Sequence, residues 1–221
     1  ILFFIIIIFS IIDENITVDF ITFEFFNNKI STNQLAFIIS MISIFYFMNA
    51  INMFDGIDIQ TPLYLVLIFV FLMLKGEKIV IFLLIPGIFF LFLNFKGKCF
   101  LGNSGSYFLG FMISIILIKI NQANPDLLTS EEILIILSLP CFELFRLFSE
   151  RIIKQQSPFA GDLNHIHHLL NKKFNTLHTS LLTNGFIFIP LIISHYLEFK
   201  IVVFIFQLIA YYFIVYQFKK M

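Results

Sequence analysis

Asn49-Ala50-Ile51-Asn52-Met53-Phe54-Asp55-Gly56-Ile57-Asp58 closes an apolar run, Gln34–Phe54, that is long enough to cross a bilayer, and it ends in two carboxylates. An ionisable side chain at or near membrane depth is costly, so it is read first as functional. Asn49, Asn52, Asp55 and Asp58 fall three apart. Each step of three along an α-helix turns roughly 300°, so the polar stripe drifts roughly 60° per step. Over the whole set the drift is about 180°, and an unbroken helix could not aim all four side chains at one point. Gly56 and Pro62 predict that the helix ends between them, which lets the carboxylates turn into a common pocket at the membrane surface. A frayed helix end with solvated polar residues explains one N-x-x-N equally well. It explains four such residues ending in D-G-x-D poorly.

The rest of the chain fits that setting. Of its 221 residues 59% are hydrophobic and 13% charged, and the mean hydropathy is +0.96. The apolar residues come in long blocks rather than in period-two alternation. The expected fold is therefore an all-α polytopic bundle and not a β-barrel. Zero formal net charge argues against a nucleic-acid binder. Cys99 and Cys141 have neither disulfide nor metal spacing and read as structural. The chain starts inside an apolar block at Ile1, without Met or a basic leader, so it is not read as a signal peptide. It is expected to lack its natural N-terminus.

Eight spans are predicted within a single membrane domain, 1–221: Ile1–Ile12 (cut short), Gln34–Phe54, Pro62–Leu74, Ile79–Phe95, Ser106–Ile120, Ile133–Phe148, Ser180–Leu197 and Ile201–Phe218. Counting crossings places nine basic residues on the Asp55 side, both arginines included. Five fall on the other: Lys29, Lys75, Lys78, Lys119 and Lys200. The positive-inside bias makes the Asp55 side cytoplasmic.

Two more polar constellations fall on that side. In Asn94-Phe95-Lys96-Gly97-Lys98-Cys99-Phe100-Leu101-Gly102-Asn103-Ser104-Gly105-Ser106, lysines and glycines precede an apolar span. Gly-rich backbone opening a helix offers unpaired N–H groups to phosphate, although the Walker spacing is absent and an ordinary turn reads as well. In Ser157-Pro158-Phe159-Ala160-Gly161-Asp162-Leu163-Asn164-His165-Ile166-His167-His168-Leu169-Leu170 sit three of the five histidines. If residues 164–170 are helical, His165 and His168 share a face and His167 points about 100° away. The spacing fits no common zinc motif, and imidazoles touching a pyrophosphate are an equal reading. Carboxylates with Mg²⁺ and cationic side chains are what phosphoryl transfer needs. A site at the membrane surface lets a soluble nucleotide meet a lipid acceptor.

At these residues the chain resembles the bacterial polyprenyl-phosphate N-acetylhexosamine-1-phosphate transferases, glycosyltransferase family 4. N-A-I-N-M-F-D-G-I-D resembles that family's N-x-x-N-x-x-D-G-x-D-G, and F-L-G-N-S-G-S-Y-F-L-G-F resembles F-x-G-D-x-G-S-x-x-L-G-F. S-P-F-A-G-D-L-N-H-I-H-H-L-L resembles S-P-F-x-P-D-R-x-H-x-H-H-L-L, and L-P-C-F-E-L-F-R-L-F leads into it as in the family. The resemblance implies transfer of a sugar-1-phosphate from a UDP-sugar to undecaprenyl phosphate, releasing UMP, with Mg²⁺, at the inner membrane. It implies that Asp55, Asp58, His165, His167 and His168 are catalytic, Asp58 lying nearer the uracil and the histidines on the phosphates or sugar. Asn49, Asn52, Asn94, Phe100 and Asp162 are implied as substrate-binding, Phe100 stacking on the uracil. Asn103 and Asp55 are implied as metal ligands.

The departures are specific. Asn103 stands where the family has a metal-binding Asp, so Mg²⁺ affinity should fall. Ile59 replaces the second Gly of D-G-x-D-G, and Gly161 and Leu163 replace the Pro and Arg around Asp162. The family's early paired-aspartate motif would lie upstream of Ile1. Two other readings stay open: a transporter with a broken-helix site at Asp55–Pro62, and a degenerate family member with a scaffold role. Association into a homodimer is likewise open.

Overall fold

The computed structural model describes residues 16–23, 28–157, 164–196 and 199–220. A short antiparallel hairpin, β1 (Phe20–Phe23) and β2 (Asn28–Ser31), precedes the helices. There follow α1 (Ala36–Phe54), α2 (Gln60–Leu74), α3 (Ile81–Phe95), α4 (Gly102–Ala123), α5 (Ser130–Ile153), α6 (Ile166–Asn171), α7 (Thr176–Ser194) and α8 (Lys200–Lys219). The fold is an all-α polytopic bundle, as the apolar blocks predict; the hairpin was not foreseen.

Among the described residues, five stretches are long and apolar enough to cross a membrane: Asn33–Phe54, Lys78–Phe95, Gly102–Ala123, Thr176–Ser194 and Lys200–Lys219. The predicted Pro62–Leu74 span is the 15-residue α2, roughly 22 Å long at 1.5 Å per residue and short of a ~30 Å core. The predicted Ile133–Phe148 span widens to the 24 residues of α5, which carry Glu131, Glu132, Glu143, Arg146, Glu150 and Arg151. The predicted Ile1–Ile12 span lies outside the described residues.

Exposure is inverted relative to a water-soluble protein. Phe82, Ile85 and Phe89 of α3 and Phe206 and Phe213 of α8 face outward, whereas Glu132, Glu143 and Arg146 are buried. Charge drawn inward and large apolar side chains turned outward suit a lipid surround. Inside the bundle, Gly110 of α4 lets α1 approach closely, since a Cβ there would lie 2.8 Å from the Met48 Cα. The two ends of the bundle differ. At one, Glu132 accepts from Lys75 at 2.7 Å and lies 3.5 Å from Lys200, joining α2, α5 and α8. There too the Gln122 side chain of α4 bonds the backbone of Asp19 and Phe20 beside the hairpin. The other end carries the acidic turn.

Two helix-interior prolines show how the bundle satisfies its backbone. Pro140 has no N–H for the carbonyl four residues back, at Ile136, and the buried Tyr64 hydroxyl of α2 donates to that carbonyl at 2.9 Å. Pro190 leaves the Phe186 carbonyl in the same state, and the Gln207 amide of α8 donates to it at 3.0 Å. In lipid neither carbonyl could turn to water, so a neighbouring helix supplies the donor.

Tyr64→Phe should therefore cost about 1–3 kcal/mol in thermal or denaturant unfolding. Adding Pro140→Ala, which restores the missing N–H, should recover most of that loss. Strictly additive losses would contradict the pairing.

Candidate active site

The acidic turn forms because α1 stops early. The helix ends at Phe54, ahead of the interval from Gly56 to Pro62 predicted from sequence, and Asp55 is its C-cap with ψ of 62°. The N–H of Gly56 then bonds back to the Phe54 carbonyl at 2.9 Å, so the chain turns sharply before Gly56. The α2 helix begins at Gln60, placing Pro62 in its first turn, where a missing N–H costs no helical bond. The preceding residue, Ile59, has φ of 75°. A β-branched residue is strained there, and the Gly of the family pattern would not be. The conformation is held by Asn94, whose Oδ1 accepts the Ile59 N–H at 2.6 Å while its Nδ2 donates to the Cys99 carbonyl at 2.9 Å.

That pair of bonds joins the end of α3 to the acidic turn and to the Gly-rich turn. The result is a cleft of about 430 Å³ lined by Asp55, Gly56, Ile57, Asp58, Asn94, Phe100, Leu101, Gly102, Asn103 and Thr176. Phe100 is 83% exposed at the cleft, an uncovered ring beside two carboxylates. Asn103 lies in the first turn of α4, because the helix starts at Gly102 rather than at the predicted Ser106. Its Oδ1 is 3.3 Å from the Asn52 amide, which also donates to Ser106 at 2.8 Å. Asn52 thus ties α1 to the start of α4. Asn49 bonds the Phe45 carbonyl of its own helix at 2.7 Å and does not line the cleft. Asp162 lies outside the described residues.

The histidines meet more closely than the helical projection predicts. Only Ile166–Asn171 is helical, and His165 is the extended residue before it. His165 therefore folds back, and its ring stacks on His167 at 5.1 Å, while His167 and His168 lie 4.4 Å apart. His167 does not point away from the other two; it is the centre of the group. It is 1% exposed, and neither ring nitrogen has a hydrogen-bond partner. Its ring presses on the acidic turn, for a Cβ on Gly56 would lie 1.9 Å from Nε2. The glycine of D-G-x-D is needed for that contact.

Electrostatics follow from this crowding. Burial first, then the charges that His165 and His168 can carry, push the His167 ring down to about 3, so it is neutral at ordinary pH. The Asp55 carboxyl is held above its usual range chiefly by burial, with Asp58 adding to the effect and the Thr61 hydroxyl opposing it. A cation in the cleft would relieve that cost. No group of three or more His, Cys, Asp or Glu side chains suited to a metal occurs among the described residues. The donors on hand are hard oxygens, from Asp55, Asp58 and the Asn103 amide. They fit Mg²⁺ held by one or two carboxylates, with substrate oxygens and water completing its shell.

Residues 1–121 match the profile of glycosyl transferase family 4, and that stretch contains both the acidic turn and the Asn103 turn. The chain belongs to this family. Among curated proteins it is similar to a probable undecaprenyl-phosphate N-acetylglucosaminyl 1-phosphate transferase of Bacillus subtilis. The two are 30% identical over 169 residues, 72% of this chain and 47% of that protein. An undecaprenyl-phosphate alpha-N-acetylglucosaminyl 1-phosphate transferase of Thermotoga maritima is 32% identical over 139 residues, 62% of this chain and 44% of that protein. The Yersinia pestis transferase of that description is 34% identical over 73 residues, 33% of this chain and 20% of that protein. The chain thus spans less than half the length of these relatives.

Two residues in or near the cleft were not singled out from the sequence. Thr176 lines the cleft from the first turn of α7, which Asn175 caps by accepting the His178 N–H at 2.9 Å. Glu143 sits under the histidine segment, its Oε1 accepting the Ile166 N–H at 2.8 Å. The signal for Glu143 was present, since it is an acid in an otherwise apolar run.

Two measurements check this geometry. Ile59→Gly should be near neutral, relief of about 1–3 kcal/mol of backbone strain offsetting the roughly 1.5–3 kcal/mol of lost side-chain burial. Ile51→Gly on α1 should cost several-fold more in thermal unfolding. For His167, the unfolded ring takes up a proton near 6.5 and the folded one only near 3, so stability falls as pH drops below about 6.5. At about pH 5 the loss should approach about 2 kcal/mol. His167→Asn should flatten that slope, while the opposite contribution of Asp55 stays in both proteins. An unchanged slope would contradict a buried neutral ring.

Proposed function

We propose that this chain is the cleft-bearing part of a membrane transferase. It moves a sugar-1-phosphate from a UDP-N-acetylhexosamine to undecaprenyl phosphate, giving a lipid-diphosphate-sugar and UMP. One observation carries the reading: two carboxylates, an uncovered aromatic ring, the Asn103 turn and α7's first turn line one cleft, with His167 packed against its glycine and His165 and His168 packed on His167. The names of the family 4 relatives support the lipid phosphate as acceptor.

In this reading an oxygen of the lipid phosphate attacks the sugar-bearing phosphorus of the donor. The bond from that phosphorus to the bridging oxygen breaks, and UMP leaves with the bond's electron pair. Asp55 and Asn103, with Asp58 beside them, would hold Mg²⁺, which would screen the charge of the phosphates. Phe100 offers a flat apolar face for the uracil, and Asp58 is placed to accept hydrogen bonds from it. The histidine group lends donors to the phosphates, with His167 neutral and fixed. Asn94 and Asn52 act as braces, because their amides bond the turns that shape the cleft. The Asp55 end carries the larger share of basic residues, which supports a site facing the cytoplasm across a bacterial inner membrane.

Purified full-length protein given UDP-N-acetylglucosamine, undecaprenyl phosphate and Mg²⁺ should release UMP, and omitting lipid or metal should abolish release. Uptake of labelled solute into liposomes without UMP release would overturn the proposal in favour of a transporter. Asn103→Asp restores a negative ligand and should lower the Mg²⁺ concentration for half-maximal rate by roughly tenfold. No gain in Mg²⁺ dependence would support a degenerate member.

A further inference from the structure

Glu143 and Arg146 of α5 are 1% and 3% exposed. A buried ion pair offsets its desolvation only when the remaining donors and acceptors are also met. Here they are met by Tyr211, Glu150 and the histidine segment. Glu143 accepts from Arg146 Nη2 at 2.7 Å and from the Ile166 N–H at 2.8 Å, and it also accepts from the Tyr211 hydroxyl of α8. Arg146 Nε donates to the Tyr211 oxygen at 2.6 Å, Nη1 to Glu150 at 2.9 Å and Nη2 to the Asn164 carbonyl at 2.7 Å. Glu150 is held from its far side by Lys219 at 2.6 Å.

The two backbone groups gripped, the Asn164 carbonyl and the Ile166 N–H, flank His165. The α6 helix is only six residues long and has no side-chain cap of its own; so short a helix is not stable by itself. Glu143 provides the acceptor that a capping side chain would otherwise give. His165 Nδ1 lies 3.6 Å from the same carboxylate, and its ring stacks on His167, which rests on Gly56.

The geometry points to Glu143, Arg146 and Tyr211 as a positioning clamp. It holds the peptide groups on either side of His165 and so sets where the imidazoles meet the acidic turn. None of the three lines the cleft, so they act through the histidines. The catalytic consequence rests on the transferase reading; the mechanical one does not.

Tyr211→Phe deletes two hydroxyl bonds without opening a cavity, and Glu143→Gln keeps the shape while removing the charge. In the purified full-length protein, either change should speed amide hydrogen exchange across residues 164–171 by at least about tenfold. Exchange in α1 and α4 should stay as it was. Turnover should drop by about tenfold or more, and that drop should vanish when Tyr211→Phe is made in a His167→Ala background, because both changes act on one unit. Unchanged exchange in both variants, or losses that multiply in the double variant, would overturn the clamp. Faster exchange in the two variants, together with no transferase activity in the wild-type protein, would leave the clamp standing and sink the functional reading instead.

Discussion

The ring of His167 occupies the space that any side chain on residue 56 would need, and that contact is the constraint on which the site depends. It joins the turn after α1 to the short α6, more than a hundred residues later in the chain. To leave the room, α1 must end at Phe54. To face it, His165 must stay extended so that the second imidazole can turn inward. Asn94 fixes the other side of the same turn by holding the Ile59 N–H, and Asn52 draws the start of α4 alongside. The cleft is the space these ties leave open.

One rule runs through both the scaffold and the site. Where water cannot reach, each polar group needs a partner from the protein. Tyr64 and Gln207 answer the carbonyls that Pro140 and Pro190 release. Glu132 gathers two lysines at one end of the bundle, and Glu143 gathers an arginine, a tyrosine and a backbone N–H near the other. Several buried side chains depart from the rule, Gln60 and Ser138 among them, and His167 does so beside the cleft, with both ring nitrogens lacking partners.

Much of this was legible before any coordinates. Long apolar blocks with few charges give the helical bundle, and carboxylates following a spanning run mark the site. The drift of the three-residue stripe argued against one unbroken helix, and α1 does end within the motif, at Phe54. Three things were not legible. The break comes before Gly56 rather than after it, because a contact with His167 decides it and no local pattern records that contact. The histidines form one group because His165 lies outside its helix, which a projection of residues 164–170 cannot show. Ile59 takes a backbone conformation suited to glycine, and only its bond to Asn94, far along the chain, explains why. Asn49 belongs to the motif by spacing, yet its amide is spent on its own helix.

The shared cleft exists only if the acidic turn and the histidine segment are in contact. The most direct measurement is a cysteine cross-link between Gly56→Cys and His167→Cys in a protein whose Cys99 and Cys141 have been replaced. A short bis-methanethiosulfonate cross-linker should join the two positions, seen as a linked peptide pair by mass spectrometry, because a Cβ at residue 56 would meet the tip of the His167 side chain. If both thiols instead react freely with a maleimide and no linked pair forms, the two motifs do not meet and the shared cleft is contradicted.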